Sequence, residues 1–305
     1  MNDFRFIKGH EDVPAWIHRR VGQILRGAGT EFECVAVVTT EPGQMGVQFE
    51  ISELPKSSVR LADGGLMVSI GKDPGVLFPE DVMALFGSAT LKAQELGGKH
   101  VVFRMPLQHI DLKFAAMGVQ SALLRADELQ TKVTDLGIEK VTFFAAEDQF
   151  SAIEKGLGLA RAANVSRWLS ALPPNLLTVS NFANLVTRHF GDLGLTVTQP
   201  SKDEYPKMGL IGAVAAGNGG HFRVMSIRID PLSGATDNVV AYVGKTLVFD
   251  AGGLNIKGTH ARTMKGDMGG GGSIFGSATY LALHRELLRR SVVFVWTITE
   301  NVIGP

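Results

Sequence analysis

Short apolar blocks rich in β-branched residues recur at 34–39, 65–70, 100–105 and 140–145, each the length of a buried strand. Between the later blocks the apolar period lengthens to that of a helix, predicting a capped amphipathic helix over 79–96 and a second helix over 112–136. Strands alternating with helices predict an α/β layer with a mainly parallel sheet. A helical pattern over 148–172 then runs into Pro173 and Pro174, where missing amide hydrogens and the restricted residue before proline end a helix. The expected organisation is an N-terminal α/β domain over 1–147, a connecting helix over 148–174 and a second α/β domain over 175–305.

In that second domain the pattern predicts a helix over 180–190, a strand over 196–199 and a glycine-rich turn over 215–220. A strand over 222–230, a turn over 231–237 and an apolar strand over 239–243 follow, and later a helix from 273 to 288 closed by Arg289 and Arg290. The run SVVFVWTIT at 291–299 lacks polar alternation and reads as a strand buried on both faces. It stands close to the last residue, Pro305, so the second domain reads as truncated.

A length of 305 residues suits two domains, and 45% hydrophobic with 20% charged residues is the balance of a globular protein. No apolar run reaches 18 residues, and the sequence opens without a signal-peptide stretch, so an intracellular, cytoplasmic protein is expected. The single cysteine, Cys34, excludes an internal disulfide and a multi-thiolate metal site. Thirty basic and thirty acidic residues cancel, which argues against nucleic acid or a membrane surface as partner and for a peptide-like one.

The chemistry-bearing stretch is 243–272, VGKTLVFDAGGLNIKGTHARTMKGDMGGGG, which carries Lys245, Asp250, Lys257 and Asp267. Lys245 and Asp250 are five apart and face opposite sides of a regular strand; to share a site, the strand must bulge between them. Gly252 and Gly253 allow the backbone to approach a crowded site. The stretch resembles leucine aminopeptidases, which carry a VGKG-type turn, FD(S/T)GG, a lysine and a K-x-DMGG-like turn. ARAANVSRWLSALPPNLLTV and MGLIGAVAAGNGGHFRVMSI resemble the same family.

The resemblance implies an aminopeptidase catalytic domain in which Lys245, Asp250 and Asp267 bind metal, Asp250 bridging two ions. It implies that Lys257 polarises the scissile carbonyl and that Met264 lines the pocket for the substrate's first side chain. Two divalent ions, zinc or manganese, with magnesium as a further candidate, would activate a bridging water for release of N-terminal residues from peptides. A liganding Lys245 must be neutral, while an electrophilic Lys257 must stay protonated. A homohexamer is also implied.

Several positions depart from the family pattern. The loop between Lys257 and Asp267 is one residue shorter, Gly271 and Gly272 stand where alanines are usual, and no NTDAEGR-like motif occurs. That motif would supply the remaining metal ligands, so a second reading is a catalytically incomplete fragment or decayed relative acting in binding or assembly. Other signatures fail: Gly244-Lys245-Thr246 lacks the first glycine of a phosphate loop, and neither GxSxG nor HExxH occurs. His260 reads as a histidine at the pocket rim, and the sequon at Asn164 falls within a helical pattern.

Overall fold

A computed structural model describes residues 13–27, 30–36, 59–62, 65–68, 78–95, 100–104, 110–124, 138–201 and 203–303. In chain order the elements are α1 (Val13–Leu25), β1 (Glu31–Ala36), β2 (Val59–Ala62), β3 (Gly65–Val68), α2 (Pro79–Glu95), β4 (His100–Arg104), α3 (Leu112–Ala122), β5 (Lys140–Ala145) and α4 (Phe150–Ala171). They continue as α5 (Val179–Asp192), β6 (Val197–Thr198), α6 (Gly209–Ala215), β7 (Phe222–Ile229), β8 (Val239–Asp250), α7 (Gly269–Leu283) and β9 (Ser291–Asn301). Two compact units result, residues 23–161 and residues 1–22 with 162–305.

In the unit of residues 23–161, β1, β5 and β4 form a sheet in that order with both pairings parallel. β5 is central, which is why Val141 and Phe143 are apolar and fully buried. Phe86 of α2, Phe103 of β4 and Phe143 of β5 meet with ring centroids 5.2 and 5.5 Å apart, and Leu85, Val119 and Ile153 complete the core. The ring contacts add stabilisation beyond the buried area itself. β2 and β3 pair antiparallel.

The sequence period places α2 and β5 closely, but α3 is shorter than expected. It starts where Asp111 accepts the Lys113 N–H at 2.9 Å, a regular N-cap. It ends at Ala122, where the Leu123 N–H reaches the carbonyls of Val119 and Ser121 in a tightened last turn. The remainder of that expected helix, 125–136, lies outside the described residues, as do the expected strand ends at 37–39, 69–70 and 105.

The other unit holds the sheet β6-β7-β9-β8, in which β6–β7 and β7–β9 are antiparallel and β9–β8 is parallel. β9 lies between two neighbours; one face carries Val292, Phe294, Trp296 and Ile298, all buried, while Val293, Val295 and Thr297 on the other are half-buried, so the run predicted as buried on both faces is fully buried along one of them. Helices α5 and α7 supply Phe182, Phe190 and Phe275, and the rings of Phe190 and Trp296 lie 5.4 Å apart. The buried Trp296 indole donates to the Gly271 carbonyl at 3.0 Å, so its one polar atom is satisfied. Ser291, at the start of β9, donates to Asp230 at 2.6 Å and receives the Thr236 N–H at 2.9 Å, pinning the expected turn at 231–237.

His189 of α5 is buried among Phe190 and Phe275, with Nε2 2.9 Å from the Thr279 hydroxyl. Burial pushes its pKa down to about 4; the nearby His18 adds to the effect and Asp192 opposes it. Asn164, the sequon residue, is buried within α4 and accepts from Arg167 at 2.8 Å. No helix among the described residues is long and apolar enough to cross a membrane.

Candidate metal centre

β8 is the edge strand that delivers the site. Its pairing with β9 places Lys245 opposite Thr297 and Leu247 opposite Thr299, then shifts so that Phe249 faces Glu300 and Asp250 faces Asn301. Val248 is the extra residue of a β-bulge. Thr297 and Asn301 are an even number of residues apart on β9, so the bulge returns Lys245 and Asp250 to one face of the sheet. This is the bend that the five-residue spacing requires.

Because β8 and β9 run parallel, their carboxyl ends open at the same edge, and Asp250 and Asn301 meet there. Asp250 Oδ1 accepts from Asn301 Nδ2 at 2.7 Å and from the Gly252 N–H at 2.9 Å, while Oδ2 accepts from Lys257 Nζ. The turn that brings Lys257 back is closed by its N–H bonding the Ala251 carbonyl at 3.0 Å. Gly252 makes this turn possible: its φ is +99°, and a Cβ there would lie 2.0 Å from the Asn255 carbonyl oxygen.

Residues Gly258–Gly266 then form a 3-10 helix that starts immediately after Lys257 and leads into Asp267. Lys245 Nζ donates to Asp267 Oδ1 at 2.9 Å, and Met264 Sδ lies 3.3 Å from Lys257 Nζ. All five residues singled out in the sequence therefore stand together: Lys245 with Asp267, and Asp250 with Lys257 and Met264. His260 remains exposed; its backbone N–H bonds the Lys257 carbonyl and its own carbonyl accepts from Thr263.

Burial is the largest single influence on the Asp250 carboxyl and acts to raise its pKa. Hydrogen bonds from Lys257, Asn301 and Gly252, with the adjacent Asp267 carboxyl, outweigh it and hold Asp250 below the usual carboxylate range. The hydrogen bond to Asp250 raises the Lys257 ammonium above its ordinary value, which keeps it protonated. Asp267 Oδ2 is buried and has no hydrogen-bond partner. A buried carboxylate oxygen without a donor is costly, and a cation is the simplest group to satisfy it. Two carboxylates and an amine make a hard oxygen and nitrogen set that suits a divalent ion. Among the described residues no group of three or more His, Cys, Asp or Glu side chains is arranged to hold a metal ion, so any ion here would rest on the two carboxylates with Lys245.

Two contributors were not singled out from the sequence. Asn301 orients Asp250; it stands two residues beyond the strand predicted at 291–299. Thr246, between the two faces of the bulged strand, is fully buried against Gly271 of α7.

Residues 164–305 match the catalytic domain of the cytosol aminopeptidase family. These residues belong to that family. A probable cytosol aminopeptidase of Synechococcus sp. is 28% identical over 275 residues, covering 82% of this chain and 53% of the relative. One of Exiguobacterium sibiricum is 30% identical over 248 residues, covering 78% and 50%. The chain thus spans about half the length of the curated relatives it matches. Among solved structures, the bottromycin maturation enzyme BotP in complex with Mn aligns with a TM-score of 0.66 at 22% identity, covering 91% of this chain and 60% of that one. A tomato leucine aminopeptidase mutant aligns at 0.70 and 19% identity, covering 83% and 51%. These likenesses show the shared α/β aminopeptidase fold.

Proposed function

We propose that this chain carries part of the active site of a metal-dependent aminopeptidase that releases N-terminal residues from peptides. The observation that carries the reading is the convergence of Lys245, Asp250, Lys257 and Asp267 around the unpartnered Asp267 Oδ2. In this reading Lys245, Asp250 and Asp267 would be the residues that hold two divalent ions, zinc or manganese, with magnesium as a further candidate. Bound ions would supply Lewis-acid polarisation and a water acidic enough to yield hydroxide near neutral pH. Lys257, held protonated, donates a hydrogen bond to the substrate's first carbonyl as negative charge develops there. Asn301 and the Gly252 N–H hold Asp250 in the orientation that points its other oxygen toward Lys257. Met264 lies against Lys257 where an apolar first side chain would pack. Residues 175–305 act as the catalytic domain, residues 1–147 as the N-terminal domain, and 148–174 as the helix joining them. The names of the relatives support a cytoplasmic protein and peptide substrates, and a homohexamer remains part of the proposal.

The test is hydrolysis of a leucyl amide by the zinc- or manganese-loaded protein. Activity that falls at least a hundredfold in Lys257→Ala supports the reading. Equal activity in the two proteins removes Lys257 from the mechanism.

A second reading has its own observation: each carboxylate already has a lysine partner, Asp250 with Lys257 and Asp267 with Lys245. Two internal ion pairs are what a relative working in binding or assembly would retain without metal. An absence of metal-dependent hydrolysis, with the fold intact, favours it.

A further inference from the structure

A 3-10 helix holds three residues per turn, so side chains three apart stack in rows. Along Gly258–Gly266 burial follows that period. Ala261 and Met264 are half-buried and their row continues to Asp267, while Thr259, His260, Arg262, Thr263 and Lys265 are exposed. The row faces the charged site, because Met264 touches Lys257 and Asp267 touches Lys245. Ala261 sits one turn before Met264, about 6 Å along the axis. The turn leading to Lys257 also presents the exposed apolar side chains Leu254 and Ile256. Apolar residues therefore flank the same lysine in the chain, with Met264 in contact with its ammonium.

We infer that Ala261 is a specificity-determining residue: its methyl group extends the Met264 surface, and its small size gives a long apolar first side chain room to pack. The inference rests on the aminopeptidase reading for the identity of the ligand. It goes beyond that reading by assigning the choice between large and small side chains to a position three residues before Met264. A leucine at 261 would fill the space one turn from Met264 and select for small residues.

The experiment titrates the full chain, in zinc-containing buffer, with L-leucinamide and L-alaninamide while following the methionine methyl NMR signals. Wild-type protein should bind L-leucinamide more tightly, and Ala261→Leu should reduce the leucinamide-to-alaninamide affinity ratio by about tenfold or more, the discrimination a few methylenes give in an apolar pocket. Thr263→Leu, the same increase in size on an exposed row of the same helix, should leave the ratio unchanged. If Ala261→Leu fails to fold, Ala261→Val should still lower the ratio by about threefold. A ratio unchanged in folded Ala261→Leu or Ala261→Val, or lowered equally in Thr263→Leu, overturns the inference. Hydrolysis in the same samples reports on the aminopeptidase reading separately: binding with the expected ratio but no turnover overturns that reading alone. No binding to the wild-type protein overturns both.

Discussion

Replacing Gly271 with alanine tests how α7 and β8 are fitted together behind the site. A Cβ at 271 would lie 2.2 Å from Thr246 Oγ1, 2.7 Å from its Cγ2 and 2.8 Å from its Cβ, all closer than side-chain atoms tolerate. Thr246 is fully buried and its hydroxyl donates to the Gly244 carbonyl at 3.0 Å, so it has no room to swing aside. Overpacking of this kind costs about 1–3 kcal/mol, while alanine in place of glycine in a helix returns at most about 1 kcal/mol. Gly271→Ala should therefore destabilise by about 1–2 kcal/mol. Thr246→Gly alone should also destabilise, by about 2 kcal/mol from lost packing and chain entropy. The double variant should be more stable than the sum of the two losses by about 1.5 kcal/mol or more. Urea unfolding followed by tryptophan fluorescence suits the measurement, because all three tryptophans, Trp16, Trp168 and Trp296, lie in the unit of residues 1–22 and 162–305. Losses that add to within about 0.5 kcal/mol would refute the coupled packing.

Three further outcomes are expected. Gly272→Ala should cost less than Gly271→Ala in the same assay, because the nearest atoms are Ser166 Oγ at 3.0 Å and the flexible Met268 methyl at 3.3 Å. Asn301→Ala removes a hydrogen bond to a buried carboxylate and should lower stability by about 2 kcal/mol and shift the Asp250 pKa upward, read by urea unfolding and carboxyl NMR titration. His189, with its native pKa near 4, is neutral in the folded protein until well below the value of about 6.5 it has when unfolded. Above pH 6.5 neither state takes the proton; between 6.5 and 4 the unfolded chain does, so stability falls with falling pH, by about 3 kcal/mol in total. His189→Gln should lose that slope, and an unchanged slope would assign it to other groups.

Much of the C-terminal unit was legible because its signals are local. The unbroken apolar run of β9 marked an interior strand, fully buried along one face and half-buried along the other, and Pro173 with Pro174 stops α4 near where the sequence says it must. The bulge in β8 was legible too, since Lys245 and Asp250 cannot otherwise share a face. Other features depend on tertiary packing. α6 (Gly209–Ala215) stands just before the predicted glycine-rich turn at 215–220, in a stretch to which the pattern assigns no element, and a helix with two glycines in seven residues has little intrinsic propensity to announce it. α3 stops at Ala122 although helix-forming residues continue, so propensity alone does not show its end. β8 extends from Val239 to Asp250, well beyond the apolar block, because Gly244, Lys245 and Thr246 interrupt the pattern while still pairing with β9. At the site, the resemblance to leucine aminopeptidases, carried by the 243–272 stretch, pointed to Lys245, Asp250, Lys257, Met264 and Asp267. The pairing of each aspartate with a lysine, and the place of Asn301 beside Asp250, needed the strand register.

The most direct test of the proposed metal centre is the thermal unfolding midpoint of the wild-type protein and of Asp267→Asn during titration with zinc. An ion held by Lys245, Asp250 and Asp267 stabilises only the folded state, by about 2.7 kcal/mol at a free concentration one hundred times its dissociation constant. The expected result is a saturable rise in the wild-type midpoint that is lost in Asp267→Asn. An equal rise in both proteins, or none in the wild type up to millimolar zinc, would contradict the metal centre.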